Sequence, residues 1–166
     1  MCRYEIDLTG IYIRPLIADD IETLREIRNR KENRRNLLYQ DVISNEQQKA
    51  WYHSYLKKDN DYMYSVIRKT DNKIIGFAAL YEMNYEECKF GRLLVDRKVY
   101  KESGLGKFIL QEMISLAREL FQLKKIKLEV FSDNIPAVRI YTQCGFKIYS
   151  SINFHGRELI CMELSL

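Results

Sequence analysis

Cysteine is scarce in this sequence and never clustered: Cys2, Cys88, Cys144 and Cys161 lie far apart, no CxxC pair occurs, and the two histidines do not group with them. That spacing argues against a zinc or other metal site and against a disulfide framework, and reduced thiols in a cytoplasmic protein are the expectation. No run of 18 or more apolar residues appears, and no apolar core of a signal peptide stands near the N-terminus. Neither a membrane span nor export is therefore expected. Internal repeats, low-complexity tracts and linkers are also missing, so 166 residues read as one domain over positions 1–166, enough for a single sizeable core. Charge of one sign is lacking too: 27 Lys and Arg are interleaved with 23 Asp and Glu for a net +4. The balance suits anionic ligands without making a nucleic-acid platform.

What is present is the composition of a soluble globular chain, 30% charged and 46% apolar. Ile11 to Leu16 alternates as a first strand, with Pro15 suited to an edge or strand end. Asp19 and Glu22, three apart, imitate a capping box and start a helix through about Arg28. A basic stretch, Arg28 to Arg35, follows. Ser44 and Gln47 form a second capping-box pattern that opens a helix carrying Trp51 and Tyr55 at i and i+4. Tyr62–Arg68 and Ile74–Tyr81 read as strands joined by the turn Thr70 to Lys73, the second apolar enough to be central. Cys88–Val95 is the next strand, and Gly91 within it marks a bulge or a close approach.

The chain is organised around Leu93 to Leu110, where an apolar run ends, a polar connection follows, and Lys101-Glu102-Ser103-Gly104-Leu105-Gly106 enters an amphipathic helix. Leu105, Ile109, Met113, Leu116 and Leu120 carry that helix to about Phe121. Strand, glycine turn and helix in that order build an anion site, because glycine lets the turn approach an oxyanion and the first helical N–H groups point at it. A Walker loop needs a hydroxyl after Gly106-Lys107, where Phe108 stands, and a dinucleotide fingerprint needs a third glycine, where Ile109 stands. Both fail. After the helix come a strand from Ile126 to Phe131, a short helix with Asn134 as cap, Pro136 in its first turn and Gly145 at its end, and a hairpin of Phe146–Ile152 with Glu158–Leu164.

The [RQK]xxGxG turn opening a helix, followed by Asn134, Tyr141 and Gly145-Phe146, resembles the GNAT N-acetyltransferase superfamily, and the resemblance runs from Ile11 to the terminal hairpin. It implies an α/β (α+β) fold with a mixed, mostly antiparallel, twisted sheet of seven strands, about four flanking helices and splayed central strands. It also implies acetyl-coenzyme A as cosubstrate and no metal. On this carry-over, Ser103, Gly104, Leu105, Gly106 and Lys107 hold the pyrophosphate, Lys101 stands where the family has Arg or Gln, and Leu93, Leu94 and Val95 pair with the pantetheine. Asn134 resembles the coenzyme-contacting Asn and is also a good N-cap. Tyr141 matches the tyrosine near the thioester sulfur, where a phenol can protonate the departing thiolate. Many relatives have Glu just before Phe-Gly, whereas here the residue is Lys89. Glu129 is the first candidate for the general base, Glu82 the second and His53 the third.

Arg28, Asn29 and the segment around Trp51 look most similar to bacterial members that act on amino-sugar nucleotides, although Ile27 stands where those have Trp. With Arg92 they are the candidate substrate-binding residues, since Arg forks suit a diphosphate. The expected partner is a small-molecule amine, namely an amino sugar on a nucleotide carrier, with no nucleic acid and no membrane, in a monomer or homodimer. The alternatives are a ribosomal-protein-type protein N-terminal acetyltransferase, a polyamine acetyltransferase and, from another class, a coenzyme A-binding module without catalysis.

Overall fold

The structure is a computed structural model that describes residues 5–166; Cys2 lies outside them. Among the described residues the strands are β1 (Ile6–Asp7), β2 (Ile11–Pro15), β3 (Tyr62–Arg68), β4 (Lys73–Tyr81), β5 (Glu87–Val95), β6 (Lys125–Phe131), β7 (Lys147–Phe154) and β8 (Arg157–Ser165). The helices are α1 (Ile21–Asn29), α2 (Lys31–Arg34), α3 (Asn45–Tyr55), α4 (Leu105–Ser115) and α5 (Ile135–Gln143). The strands follow the order β1-β2-β3-β4-β5-β6-β8-β7. Eight strands replace the seven expected because Ile6 and Asp7 pair with Ile13 and Tyr12 in a two-residue strand too short to leave a periodic signature. The α/β class and the mostly antiparallel pairing are as the sequence predicts.

The chain forms two compact units, one made of the chain up to Ala79 together with Arg92–Ser103, the other of Leu80–Gly91 together with Gly104–Leu166. In the first unit β2 and β3 pair antiparallel from Ile11↔Arg68 to Pro15↔Tyr64. Its core holds Ile13, Leu24, Ile27, Tyr64, Val66, Ile75 and Phe77, each contributing about 1.5–3 kcal/mol by leaving water. Helix α1 starts differently from the expected pattern. A 3₁₀ turn, Ala18–Asp20, precedes it; Asp20 takes the N-cap position of α1 without a cap bond to it, and its carboxylate, rather than that of Asp19, closes the turn by accepting from Ile17 N–H. The Asp20 carboxylate accepts from Arg14 at 2.6 and 2.9 Å, from the Ser65 hydroxyl at 2.7 Å and from the Ile17 N–H at 3.1 Å. Burial opposes its ionisation, and these donors outweigh burial and hold its carboxyl below the usual carboxylate value. Asp19 and Glu22 sit outside this arrangement, and Glu22 instead binds Arg25 and Asn45. Helix α3 begins as read: Ser44 Oγ accepts from Gln47 N–H at 3.2 Å and Gln47 Oε1 accepts from Ser44 N–H at 2.8 Å.

In the second unit β6 pairs with β8 over seven residues, from Lys125↔Ser165 to Phe131↔Leu159, and β8 pairs with β7. Helix α4 stops as an α-helix at Ser115 and continues as a π-helical turn, Leu116–Leu120, closed by Phe121 N–H to Leu116 O at 3.2 Å. The wider turn keeps Leu116 and Ala117 buried where the apolar repeat predicts a continuous helix.

Candidate active site

In the second unit the parallel pair β5·β6 is short. Its ladder holds only Glu87↔Lys125, Cys88↔Ile126 and Lys89↔Lys127, while both strands run on past it. Phe90 and Gly91 of β5, and Leu128 and Glu129 of β6, therefore have no partners across this seam, which is the expected splay. Glu129 is bound instead in the register of β8, opposite Cys161. Gly91 is needed for a reason the sequence leaves open: a Cβ there would stand 2.9 Å from Tyr81 Oη, so the Tyr81 ring crosses the strand where other residues carry a side chain.

Helix α4 starts at Gly104, whose φ of 91° lies in the left-handed region that glycine alone adopts cheaply. No side chain caps this end, so the amides of Leu105, Gly106 and Lys107 face outward along the positive end of the helix dipole. Lys107 Nζ lies 3.3 Å from Gln143 Oε1 on α5, which ties the two helices. At the other end of α5 Asn134 takes the N-cap position, yet its side chain makes no cap bond. The capping explanation for this residue thus fails, and its amide is left for another partner.

Tyr141, two turns further along α5, is 8% exposed and packs edge-on against Phe90, with ring centroids 6.2 Å apart, and against Phe146 at 6.0 Å. Among the described residues no hydrogen bond reaches its hydroxyl. Burial pushes the phenol well above the ordinary tyrosine value, so it keeps its proton at neutral pH and is suited to donate one. The two carboxylates expected to act as base are brought together by Lys89: its Nζ lies 2.9 Å from Glu82 Oε2 and 3.7 Å from Glu129 Oε1. The hydrogen bond with Glu82 raises the Lys89 amine above the usual lysine value, so it stands as an ammonium. Among the described residues the thiols are no rivals as nucleophiles. Burial pushes Cys88 up to about 12 and raises Cys144 and Cys161 as well.

In the first unit the connection after β5 is shaped by Asp96, which sequence reasoning missed. Asp96 N–H bonds Ile75 O at 2.8 Å, its carboxylate accepts from Lys98 N–H at 2.9 Å and pairs with Arg30, and its carbonyl accepts from Val99 and Tyr100. Burial opposes ionisation here as well, and Arg30 and Lys98 outweigh it. Leu93, Leu94 and Val95 precede this turn on β5, with Leu94 buried, while Lys101 and Ser103 follow it and are exposed.

The candidate acceptor residues of this unit divide into two groups. Trp51 and Arg92 come together: the Arg92 guanidinium sits 5.9 Å from the Trp51 ring centroid and forks onto Asp61 at 2.6 and 2.9 Å. Trp51 in turn stacks on Tyr55 at 5.3 Å. Asp61, with 3% of its side chain exposed, is a second missed residue; one acid in a polar loop carries no signal of its own. Arg92 also holds a φ of 51°, a strained conformation for a residue with a Cβ. Arg28 and Asn29, by contrast, point into their own loop. Arg28 donates to the carbonyls of Tyr39, at 2.6 Å, and Asp41, and Asn29 exchanges bonds of 2.8 and 3.0 Å with the backbone of Ile43. His53 is exposed on α3.

Comparison with known proteins adds a family. The acetyltransferase (GNAT) domain family matches residues 11–147. A probable spermine N(1)-acetyltransferase of Bacillus subtilis subsp. natto (strain BEST195) is 35% identical over 100 residues, covering 57% of this chain and 66% of that protein. The acetyltransferase PseH of Campylobacter jejuni (strain 81-176) is 31% identical over 94 residues, 57% of each chain. The matches thus span no more than about two thirds of these relatives' length. Among solved structures, spermidine N-acetyltransferase from Vibrio cholerae in complex with CoA and spermine superposes with a TM-score of 0.85 at 18% identity over 95% of this chain and 96% of that one. The Campylobacter jejuni N-acetyltransferase PseH gives 0.70 at 19% identity over 94% and 98%. At such identities the superpositions speak for the fold.

Proposed function

The chain belongs to the GNAT acetyltransferase family, and from that premise we propose that it moves the acetyl group of acetyl-coenzyme A, in the cytoplasm, onto the primary amine of an amino sugar carried on a nucleotide. The single observation that carries the transfer is the set of polar groups kept without protein partners in the second unit. These are the uncapped amides of Leu105, Gly106 and Lys107 for the pyrophosphate, the free amide of Asn134 for the coenzyme, and the protonated Tyr141 hydroxyl for the sulfur. The other coenzyme candidates that the resemblance implies, Leu93, Leu94, Val95, Lys101 and Ser103, belong to the first unit.

The acceptor nitrogen attacks the thioester carbonyl, the N–C bond forms and the C–S bond breaks. Tyr141 gives its proton to the departing thiolate, and the proton lost by the amine passes to a carboxylate. Glu129 suits that last task better than Glu82, since at 3.7 Å it is the more loosely held of the two by Lys89. Cys88, Cys144 and Cys161 all have raised thiol pKa values, which disfavours them as acetyl carriers and favours direct attack.

An anionic carrier is supported by the net charge of +4 and by the resemblance of the Trp51 segment to members that act on amino-sugar nucleotides, whereas Arg28, Arg30 and Arg34 are already engaged within the chain. Similarity to the Bacillus spermine acetyltransferases supports a second reading, a polyamine acceptor. Acetyl-coenzyme A with amino-sugar nucleotides, polyamines and N-terminal peptides, assayed for thiol release, separates the readings. Amino-sugar nucleotides are expected to give the highest kcat/KM, with polyamines turned over weakly, and turnover of peptides alone would replace this reading with protein N-terminal acetylation.

A further inference from the structure

Lys89 occupies a place where two carboxylates converge. Its Nζ marks a point 2.9 Å from Glu82 Oε2, the separation of a charge-assisted hydrogen bond, and 3.7 Å from Glu129 Oε1, an ion-pair contact. The place lies where the β5·β6 ladder ends: Lys89 belongs to the last pair, Lys89↔Lys127, and Glu129 follows two residues later on the same face of β6. The neighbouring cation, Lys127, is engaged elsewhere, with Glu87 at 2.8 Å. The Lys89 side chain is 31% exposed and Glu82 62%, so the cluster is open to solvent and to solutes. Glu82 is held there by a left-handed backbone, φ 49°, at the end of β4.

We propose that Lys89 is the specificity-determining residue of the acceptor site: its ammonium fills, from within the chain, the position in which Glu82 and Glu129 would otherwise anchor a polycationic acceptor. A polyamine needs a second ammonium anchored while the first reacts; with Glu129 serving the reacting amine, Glu82 is the carboxylate left to hold it, and Lys89 takes that place at 2.9 Å. A nucleotide-linked amino sugar brings its own anchor in its phosphates and does not need the carboxylates. The proposal rests on the reading of the second unit as the transferase site, and it explains how a chain similar to spermine acetyltransferases would turn away from polyamines.

Spermine is the probe. Its affinity for the protein saturated with coenzyme A is measured by calorimetry, and its kcat and KM are measured with acetyl-coenzyme A. Lys89→Met removes the charge and keeps the length, Lys89→Gln is the second neutral variant, and Lys89→Arg keeps the charge. Both neutral variants are expected to bind spermine about tenfold or more tightly than the wild type, with the gain in KM rather than kcat. Lys89→Arg is expected to bind like the wild type, and the gain should vanish when Glu82→Gln and Glu129→Gln are added to Lys89→Met. Spermine affinity unchanged in both neutral variants, or raised equally in Lys89→Arg, would overturn the proposal. Amino-sugar nucleotide turnover by the wild type tests the acceptor reading separately, because spermine binding to the variants does not depend on it.

Discussion

The segment from Arg28 to Ile43 in the first unit and the opening beside β5 and β6 in the second are both rich in polar groups, and they use them in opposite ways. In the first, the side chains of Arg28, Asn29 and Arg34 donate to the backbone carbonyls of Tyr39, Gln40, Asp41 and Ile43. The cations that read as a binding rim fasten residues 39–43, which follow the helix α2 and its turns, back onto the segment. In the second, the first amides of α4, the Asn134 side chain and the Tyr141 hydroxyl are held in place by packing yet bond nothing among the described residues. Polar groups whose partners are all supplied by the chain hold the fold, and polar groups that are positioned but unpartnered are the ones available to a ligand. Changes in the second region should therefore alter kinetics with little change in stability, and changes in the first should do the reverse.

The sharpest contrast is expected at Tyr141. Tyr141→Phe keeps the ring contacts with Phe90 and Phe146 and removes only the proton donor, so kcat should fall about 10²–10⁴-fold while the melting temperature stays near that of the wild type. A fall in melting temperature with unchanged kcat would move Tyr141 into the structural class.

On the other side of the comparison, Asp20→Ala leaves the half-buried Arg14 guanidinium without its partner and should lower stability by about 3 kcal/mol, with the KM for acetyl-coenzyme A retained in the folded fraction. The same pair sets an acid limit. The folded carboxyls of Asp20 and Asp96 both lie below their unfolded value of about 3.9, so each binds fewer protons folded than unfolded. Their contribution is complete above about pH 4 and disappears as pH falls through the folded values. Urea midpoints followed from pH 6 down to 2 should drop below pH 4, and the drop should be shallower in Asp96→Asn.

Gly104→Val forces a β-branched residue into a φ of 91°, a strain of about 1–3 kcal/mol that the helix start can relieve only by moving its amides. The KM for acetyl-coenzyme A should rise about tenfold, read in the thiol-release assay, with a smaller change in the KM of the acceptor. Asn29→Ala should have the smallest effect. Loss of two bonds to Ile43 should cost about 1–2 kcal/mol of stability by urea denaturation and leave the KM for acetyl-coenzyme A unchanged.

How far the sequence reaches depends on the range of the interaction. The Ser44–Gln47 box, the glycine at Gly104 and the alternation of β2 and β3 are local, and they stand where the sequence predicts them. Asp20 displaced Asp19 because its partners, Arg14 and Ser65, lie six residues back and 45 ahead, and spacing within a helix start does not register them. The need for Gly91 is visible as an oddity in a strand, but the cause, the Tyr81 ring, comes from another strand. Arg28 and Asn29 read as a rim from their charge and polarity. Their engagement with residues 39–43 depends on how a loop folds back, and no periodicity records that. Lys89 is visible as a departure from its relatives, and its meaning appears only with Glu129, 40 positions further along the chain, beside it.

Thiol release from acetyl-coenzyme A on adding an amino-sugar nucleotide, followed in the wild type and in Tyr141→Phe, tests the central claim most directly. The account predicts one thiol released per amine acetylated, with turnover nearly abolished in the variant while coenzyme A still binds. Coenzyme A binding without thiol release for any amine, in wild type and variant alike, would contradict it and leave a coenzyme A-binding module without catalysis.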